Sequence, residues 1–390
     1  MDQTALEAAA RIAGKSLGAN IRRLSPDGPT VLSAGARQFR SVWTRDFCFA
    51  SGGLIAAGRA DVVRETLDQI LSFQREDGYF PRLLDSMNFM VRVAAGSFGK
   101  SFELRVPLKP NYASEHGGIL TADSQSLVAW TAARLARAAP DEAWVRAVFP
   151  RLERGMWWYT SLERGELIDQ APFSDWKDSV SARRGAVFFT ELLRWQAYRA
   201  LHELAGMIGD EAAAARWKGR AEAHKDRLEA AFWLEKEGHY RDTLERPLFS
   251  TDGNLAAIVW GFSSDEESER ILSAMERLDL WTPWGPKAGE RYLPSEKGWL
   301  VRVAGIPGYH DDFVWLWTAA LALLALDRPG HYTRRDALVE TLSRKIAAAG
   351  EVSEVYRPES GLPVRSWLYS SEAPFSWSSG MLLEAFKKIK

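Results

Sequence analysis

The stretch FSDWKDSVSARRG, residues Phe173–Gly185, lies between two segments with helical periodicity. It gathers the charged residues Asp175, Lys177 and Asp178 around Trp176. A connection between two helices rarely needs a loop of this length and charge unless the loop has a function. The stretch therefore predicts a helical protein whose long loops carry its chemistry, although a solvated charged loop anchored by one tryptophan explains this stretch alone equally well.

Helical periodicity extends outward from this loop over most of the chain. It predicts twelve helices, at residues 3–22, 46–58, 60–75, 121–138, 141–161, 186–207, 210–233, 252–262, 264–279, 309–326, 332–349 and 374–388. The β signals are short. Ser264 with Glu267 has the pattern of a capping box, which marks a helix start.

The connections between these helices are of two kinds. Tight turns such as Gly58-Arg59-Ala60 alternate with long irregular segments at 23–45, 77–120, 162–185, 235–251, 280–308 and 350–373. Short turns on one side and long loops on the other, six times over, predict an all-α (α/α)6 toroid: six helical hairpins with a cleft formed by the long loops on one face. A helical solenoid is the alternative, but the chain shows no fixed sequence repeat. No linker or shift in composition divides the chain, so we expect one domain over residues 1–390.

The composition is that of a globular protein with a large core, since 46% of its 390 residues are hydrophobic and 26% are charged. The net charge of −1 gives no electrostatic reason to expect nucleic acid or an anionic membrane as a partner. Cys48 is the only cysteine, which excludes an intramolecular disulfide and favours a reducing compartment. The N-terminus lacks the pattern of a signal peptide, and the longest apolar run, Phe313–Leu326, is too short to span a membrane. We therefore expect a cytoplasmic protein.

The aromatic content is high, with 17 tryptophans, many of them beside loops. An aromatic ring beside a carboxylate can hold a sugar ring while the acid protonates its leaving oxygen. Core packing is the alternative for each tryptophan taken singly.

Further charged residues stand where loops meet helices. Arg45 and Asp46, in VWTRDF, can hydrogen-bond adjacent sugar hydroxyls or form a helix cap with an ion pair. Asp123, in TADSQS, can cap the next helix or face the cleft. His310, in GYHDDFVW, stands at the mouth of the most apolar helix, where polar groups need partners. DGYFPR, residues 77–82, is interpreted as an ordinary turn.

Two glutamates are candidates for a base opposite Asp178: Glu354 in VSEVY and Glu372 in SSEAP. A glutamate in a loop more often faces solvent. Metal and serine hydrolase chemistry have little support, because HExxH and CxxC motifs are absent from the sequence and its one GxSxG match, Gly14–Gly18, falls inside a predicted helix. We expect neither a metal nor a cofactor.

Taken together and in order, these motifs resemble those of one group of enzymes. The chain, from about Val42 to its C-terminus, is similar to the (α/α)6 glycoside hydrolases that include the glucosidase domain of glycogen debranching enzyme, the alkaline/neutral invertases, the processing α-glucosidases and, more distantly, the glucoamylases. WTRDF resembles the family's sugar-binding motif, and WKDS (Trp176–Ser179) resembles the segment that supplies its general acid. VSEVY resembles the motif of its general base. The 83–118 insertion has no counterpart in this resemblance.

The resemblance implies an inverting, exo-acting hydrolase of a terminal α-linked glucosyl or related residue, with Asp178 as general acid and Glu354 as general base. The pKa of Asp178 is then expected to be raised by burial against Trp176. The resemblance and the loop chemistry together give these candidate substrate-binding residues: Trp43, Arg45, Asp46, Asp123, Trp176, Lys177, Arg184, His310, Trp315, Glu372 and Trp377. Lys177 is expected to face away from Asp178 or to bind substrate.

The expected partner is a small saccharide or glycoside, and the exposed aromatic loops are compatible with a homo-oligomer. Sucrose, a short α-glucan, a glucosylglycerol-like osmolyte, and mannosyl or glucosyl glycerate all remain open as substrates. Arg183, Arg184, Arg291 and Lys297 suit an anionic aglycone such as glycerate, or are surface charges. Two alternatives to a hydrolase also remain: a sugar 2-epimerase on the same barrel, which would use histidines such as His310, and a non-catalytic sugar-binding protein.

Overall fold

A computed structural model describes residues 3–97, 100, 102–114 and 118–389, and over these residues the chain is mostly helical. The α-helices are α1 (Gln3–Gly18), α2 (Thr44–Ala56), α3 (Ala60–Ser72), α4 (Phe89–Ser97), α5 (Ser124–Ala138), α6 (Glu142–Trp158), α7 (Phe188–Met207), α8 (Glu211–Phe232), α9 (Thr251–Val259), α10 (Asp265–Arg277), α11 (Trp299–Val303), α12 (Leu316–Ala325), α13 (Tyr332–Ala349) and α14 (Ser376–Lys388). All twelve predicted helices are confirmed, with shifted ends, and the capping box of Ser264 and Glu267 at α10 is formed. Helices α4 and α11 lie in segments that we predicted to be irregular.

Six helices pack in a closed ring. Helix α2 contacts α5, α5 contacts α7, α7 contacts α9, α9 contacts α12, α12 contacts α14, and α14 returns to α2. Each has a second helix against it: α3, α6, α8, α10, α13 and α1, in the same order. The ring helices are apolar on most sides, as in α12, where nearly every residue is buried. Burial of apolar surface between helices therefore holds the ring together.

Short strands fill the long loops. They are β1 (Ile21–Arg23), β2 (Thr30–Leu32), β3 (Val42–Trp43), β4 (Leu83–Asp85), β5 (Lys109–Asn111), β6 (Glu163–Arg164), β7 (Leu167–Ile168), β8 (Trp233–Leu234), β9 (His239–Thr243), β10 (Arg246–Phe249), β11 (Trp281–Thr282), β12 (Gly285–Pro286), β13 (Val314–Trp315) and β14 (Val355–Tyr356). They form antiparallel sheets in the orders β1-β2, β3-β4-β5, β6-β7, β8-β9-β10, β11-β12 and β13-β14.

Two of these sheets fix the loops next to ring helices. Strand β3 pairs with β4, Trp43 opposite Leu83, directly before α2 begins. Strand β13 pairs with β14, Trp315 opposite Val355, directly before α12 begins. This pairing is why α12 starts at Leu316 rather than at the predicted residue 309. The N-terminal ends of α2 and α12 thereby lie beside ordered loops, where the helix dipole favours negative charge.

Over the described part of the chain, no helix is long and apolar enough to cross a membrane. Parts of the 83–118 insertion, residues 98, 99, 101 and 115–117, lie outside the described residues.

Candidate active site

The N-terminal ends of α2 and α5 bring together a buried cluster of charges. Arg45 donates a hydrogen bond from Nε to the carboxylate of Asp123, and both side chains are buried. Asp123 therefore pairs with Arg45 and does not cap α5 with its side chain. Burial opposes the charge on Arg45, but Asp123 and Asp178 outweigh it and hold its pKa above the usual value.

Asp46 lies next to this pair and links it to both predicted catalytic carboxyl groups. Burial raises the pKa of Asp46 to about 7; Arg45 opposes this rise, while the charges of Glu354 and Asp178 add to it. Asp178 and Glu354 therefore act on the same buried carboxyl group, although they are far apart in the sequence.

Glu354 is buried and held by two tyrosines. The hydroxyl of Tyr309 donates to Oε1 at 2.5 Å, the hydroxyl of Tyr369 donates to Oε2 at 2.6 Å, and the backbone N–H of Glu372 donates to Oε2 at 3.1 Å. Burial raises the pKa of Glu354 to about 7, and the hydrogen bonds from the two tyrosines work against that rise. This carboxyl group is thus oriented, shielded from water and poised to exchange a proton near neutral pH.

Asp178 has a different environment, and the expected burial of its side chain against Trp176 is not found. Its side chain remains 30% exposed, and its carboxylate lies 4.0 Å from the guanidinium of Arg82. The loop around it is fixed by a bridge between Val180 and Lys297. It is also fixed by the buried carboxylate of Asp175, which accepts a hydrogen bond from the Lys177 backbone at 2.9 Å. Two carboxyl groups in such different surroundings can take different protonation roles.

A cluster of buried charged residues packs against this loop. Arg183 is fully buried and pairs with Asp175 at 2.7 Å, Asp252 at 2.8 Å and Asp242 at 3.5 Å. Lys177 is also fully buried, and its Nζ donates to Ser250 Oγ at 2.8 Å and to the carbonyl of Ala288 at 3.0 Å. Lys177 therefore faces away from Asp178, one of the two outcomes expected for it.

Several predicted substrate-binding aromatic residues belong to the core. Trp377 stacks on Trp317 and on Phe49, with ring centroids 4.6 and 4.9 Å away. Trp176 is buried edge-on against Trp315, and its indole N–H donates to Asp252. In these positions Trp176 and Trp377 support the loops rather than present an open face to a sugar.

His310 is buried. Its ring stacks on Trp315, with ring planes 9° apart, and its Nδ1 lies 2.6 Å from Ser179 Oγ. Burial, followed by the charges of Lys177 and Arg183, holds the pKa of His310 well below its usual value. His310 thus connects the loop of Asp178 to the start of α12.

Glu372 and Arg184 do not join the cluster of Arg45 and Asp46. Glu372 accepts hydrogen bonds from the backbone N–H groups of Ala36, Arg37 and Gln38, so it fixes the loop before α2. Arg184 is exposed and lies 3.8 Å from Glu245 on the surface. The prediction that these two side chains bind substrate has no support in this geometry.

Sequence reasoning missed three residues of the site. Arg82 belongs to the stretch interpreted as a turn, yet it is buried and lies over the ring of Trp43, 4.5 Å from its centroid. Tyr309 and Tyr369 hold Glu354, although one tyrosine directly precedes His310 in a quoted motif. Only the strand pairing of β3 with β4 reveals Arg82, and only the fold of the 350–373 loop reveals Tyr369, whereas Tyr309 lay within a motif already quoted.

Gln125 also escaped notice. It is fully buried at the start of α5, and neither atom of its amide group has a hydrogen-bond partner among the described residues. The same holds for Oδ1 of Asp123. Buried polar atoms normally have partners, so these three atoms are exceptions to that rule beside the pair of Arg45 and Asp123. Among the residues described, no group of three or more His, Cys, Asp or Glu side chains is arranged to hold a metal ion.

Comparison with known proteins identifies the class. The family described as "Mannosylglycerate hydrolase MGH1-like glycoside hydrolase domain" matches residues 175–378, about half of the chain, including Asp178 and Glu354. The protein is thus a glycoside hydrolase. More particularly, it belongs to this MGH1-like family. No curated protein matches the sequence.

Solved structures of other glycosidases share the fold. A wild-type glycosidase superposes with a TM-score of 0.70 at 14% identity, covering 100% of this chain and 99% of that chain. The GH63 mannosylglycerate hydrolase from Thermus thermophilus, in complex with Tris and D-glycerate, has a TM-score of 0.68 at 14% identity and covers 96% of this chain and 99% of that chain. A rhamnosidase from Klebsiella oxytoca with rhamnose bound has a TM-score of 0.69 at 14% identity, covering 98% of this chain and 64% of that chain. At such identities the likeness establishes the fold.

Proposed function

We propose that this chain is an inverting, exo-acting glycosidase that removes a terminal α-linked glucosyl or related residue from a small saccharide or glycoside. The closed ring of six helices, each backed by a second, supports an (α/α)6 toroid that forms one domain. The observation that carries the proposal is the pair of carboxyl groups in different environments: Glu354 is buried and held by two tyrosine hydroxyls, and Asp178 is partly exposed beside Arg82. Family membership adds that the chemistry is hydrolysis of a glycoside.

Asp178 is the general acid in this proposal. It donates its proton to the glycosidic oxygen as the bond from the anomeric carbon to that oxygen breaks. Glu354 is the general base and takes a proton from the water whose oxygen bonds to the anomeric carbon from the opposite face. Inverting enzymes hold the two carboxyl groups roughly 6.5–9.5 Å apart, so that water fits between base and sugar.

The sugar itself is held by the cluster at the starts of α2 and α5. Arg45, Asp46 and Asp123 offer donors and acceptors to adjacent hydroxyls, and the amide of Gln125 offers more. His310 does not support the epimerase alternative, because its Nδ1 is engaged with Ser179 and its ring is stacked on Trp315.

The substrate remains the open part of the proposal. The family's name and the relative with bound D-glycerate place mannosylglycerate among the candidates, beside glucosylglycerate, sucrose, maltose, isomaltose and trehalose. A panel of these compounds, with released sugar as the readout, identifies the substrate.

Substitution of the two carboxyl groups tests the assignment. We expect Asp178→Asn and Glu354→Gln each to lower kcat by on the order of 10²–10⁴ on the best substrate, because each variant loses one proton transfer. Asp169→Asn and Glu245→Gln are the controls: Asp169 is 33% exposed in an ion pair with Arg164, much as exposed as Asp178, and Glu245 lies on the surface. Near-normal turnover in Asp178→Asn or Glu354→Gln, with folding confirmed by circular dichroism, would overturn that residue's role.

A further inference from the structure

Large apolar side chains are exposed on two neighbouring segments. In α11, Trp299 is 62% exposed, and Leu300 and Val303 are also exposed. In the loop that precedes α14, Trp367 is 71% exposed, and Leu368 beside it is exposed as well. Tryptophans with this exposure are unusual in a protein whose other tryptophans are mostly buried.

These two segments touch. Ser366 Oγ donates a hydrogen bond to the carbonyl of Ala304, directly after α11. A Cβ at Gly305 would lie 3.6 Å from Cδ1 of Trp367. Trp299, Leu300, Val303, Trp367 and Leu368 are therefore carried by two segments in direct contact, and we call these five side chains the aromatic rim.

The aromatic rim is continuous with the loop of Asp178. The backbone N–H of Gly298, directly before α11, donates to the carbonyl of Ser179 at 2.7 Å. Lys297 forms a bridge with Val180. Trp299 thus stands one residue beyond a backbone bond to the neighbour of Asp178.

The other end of the rim is connected to the residues that hydrogen-bond to Glu354. Tyr369 donates from its backbone N–H to Ser366 Oγ at 3.1 Å, and its hydroxyl donates to Glu354 at 2.6 Å. Helix α11 therefore connects the segment of the acid to the segment of the base.

The basic residues that suited an anionic aglycone are engaged elsewhere. Arg183 is enclosed by three carboxylates. Lys297 pairs with Asp311 at 2.5 Å, Arg291 pairs with Asp312 at 3.1 Å, and Arg184 lies beside Glu245. Arg183 and Lys297 are therefore held in buried ion pairs and do not face a carboxylate on the substrate.

We propose that the aromatic rim binds the aglycone and that the substrate carries a ring-shaped aglycone, such as a second sugar ring. The apolar C–H face of a pyranose packs on an indole ring, and two exposed indoles give it a platform next to the carboxyl groups. This inference rests on the proposed function, because it concerns the leaving group of the same reaction.

The test compares substrates with and without such an aglycone. Wild type, Trp299→Ala, Trp367→Ala and the double variant are assayed on maltose, isomaltose, trehalose and sucrose, on glucosylglycerate and mannosylglycerate, and on α-D-glucosyl and α-D-mannosyl fluoride. The fluorides lack an aglycone ring, so they report the chemistry alone. We expect kcat/KM on the best disaccharide to fall about tenfold for each tryptophan removed, mostly through KM, while kcat/KM on the fluoride changes less than twofold. Trp157→Ala, on the outer helix α6, is the matched control and leaves both values unchanged.

The outcomes separate this inference from the proposed function. If wild type releases no sugar from any glycoside or fluoride, the proposed function fails, and this inference fails with it. If wild type cleaves the fluoride but the variants cleave disaccharides as wild type does, or if a glycosyl glycerate is strongly preferred, only the aromatic rim's role is overturned. An equal loss on fluoride and disaccharide would show a structural role instead. A dimer that becomes monomeric in the double variant with unchanged kcat/KM would show that the rim joins two copies of the chain.

Discussion

The environment of Glu354, the proposed general base, sets the pH at which its carboxyl group is ionised. Burial raises its pKa to about 7, and Tyr309 and Tyr369 lower it by donating hydrogen bonds to the carboxylate. A base must be ionised before it can take a proton from water, so kcat/KM should fall as the pH drops below about 7. Asp46, whose pKa is also raised to about 7, responds to Glu354, so this fall reports the coupled pair.

Removal of either tyrosine hydroxyl should move the acid side of the pH profile. Tyr309→Phe and Tyr369→Phe each remove one donor that stabilises the carboxylate, so the pKa of Glu354 rises and activity is lost at a higher pH. A hydrogen bond to a charged group contributes about 1.5–3 kcal/mol, so we expect an upward shift of about one to two pH units in kcat/KM. Tyr332→Phe, at an exposed position on α13, is the control and should leave the profile unchanged. A downward shift, or none in either variant, would contradict the role given to these hydroxyls.

The sequence identified site residues that stand in a motif of charged and aromatic residues. It did not identify residues whose role depends on neighbours distant in the chain. Arg45, Asp46, Asp123, Asp178 and Glu354 were named from their motifs, and the structure brings them together. Arg82, Tyr309 and Tyr369 act through strand pairing and loop packing, which no local pattern encodes. Trp377 is the converse case, because its aromatic ring was predicted to stack on a sugar and instead packs in the core.

The loop that carries Asp178 is stabilised by buried ion pairs of neighbouring residues. Burial opposes the ionisation of Asp252, but Arg183 and Lys177 outweigh it and hold the pKa of Asp252 at about 2. Arg183 thus binds the loop to the start of α9. Its neighbour Arg184 has the same charge and lies at the surface.

This pair of adjacent arginines allows a direct comparison of buried and exposed charge. Arg183→Met leaves Asp175, Asp242 and Asp252 without their main partner, and we expect it to lower the free energy of unfolding by about 3–5 kcal/mol. Arg184→Met should change it by less than about 1 kcal/mol, because exposed ion pairs contribute little. Urea denaturation measures both. Equal effects of the two substitutions would show that the buried cluster of charged residues does not stabilise the loop.

Helices long enough to show a clear hydrophobic periodicity were predicted from the sequence, and short elements were not. Twelve helices follow from the sequence, while α11, with five residues, has too few turns to show a period. The start of α12 was misplaced because Val314 and Trp315 pair as a strand with Val355 and Tyr356, a long-range contact that overrides the local apolar run.

The whole molecule brings the two ends of the chain together. Asn20 donates to Ser376 Oγ at 2.9 Å and to the carbonyl of Pro374 at 3.0 Å, and α1 packs on α13 and α14. This closure places the loop of Glu354, late in the chain, beside α2, which carries Arg45 and Asp46. The proposed catalytic residues, Asp178 and Glu354, come from opposite halves of the sequence, so the proposed site depends on a closed ring of helices.

The stereochemistry of the released sugar tests directly whether the proposed reaction proceeds with inversion. ¹H NMR of the reaction of wild type with its best α-linked substrate, recorded before mutarotation equilibrates the product, distinguishes the two anomers. We expect the β-anomer to appear first, because water activated by Glu354 attacks the face opposite the leaving group protonated by Asp178. Appearance of the α-anomer first would establish retention and contradict the assignment of Asp178 and Glu354 as an inverting acid and base.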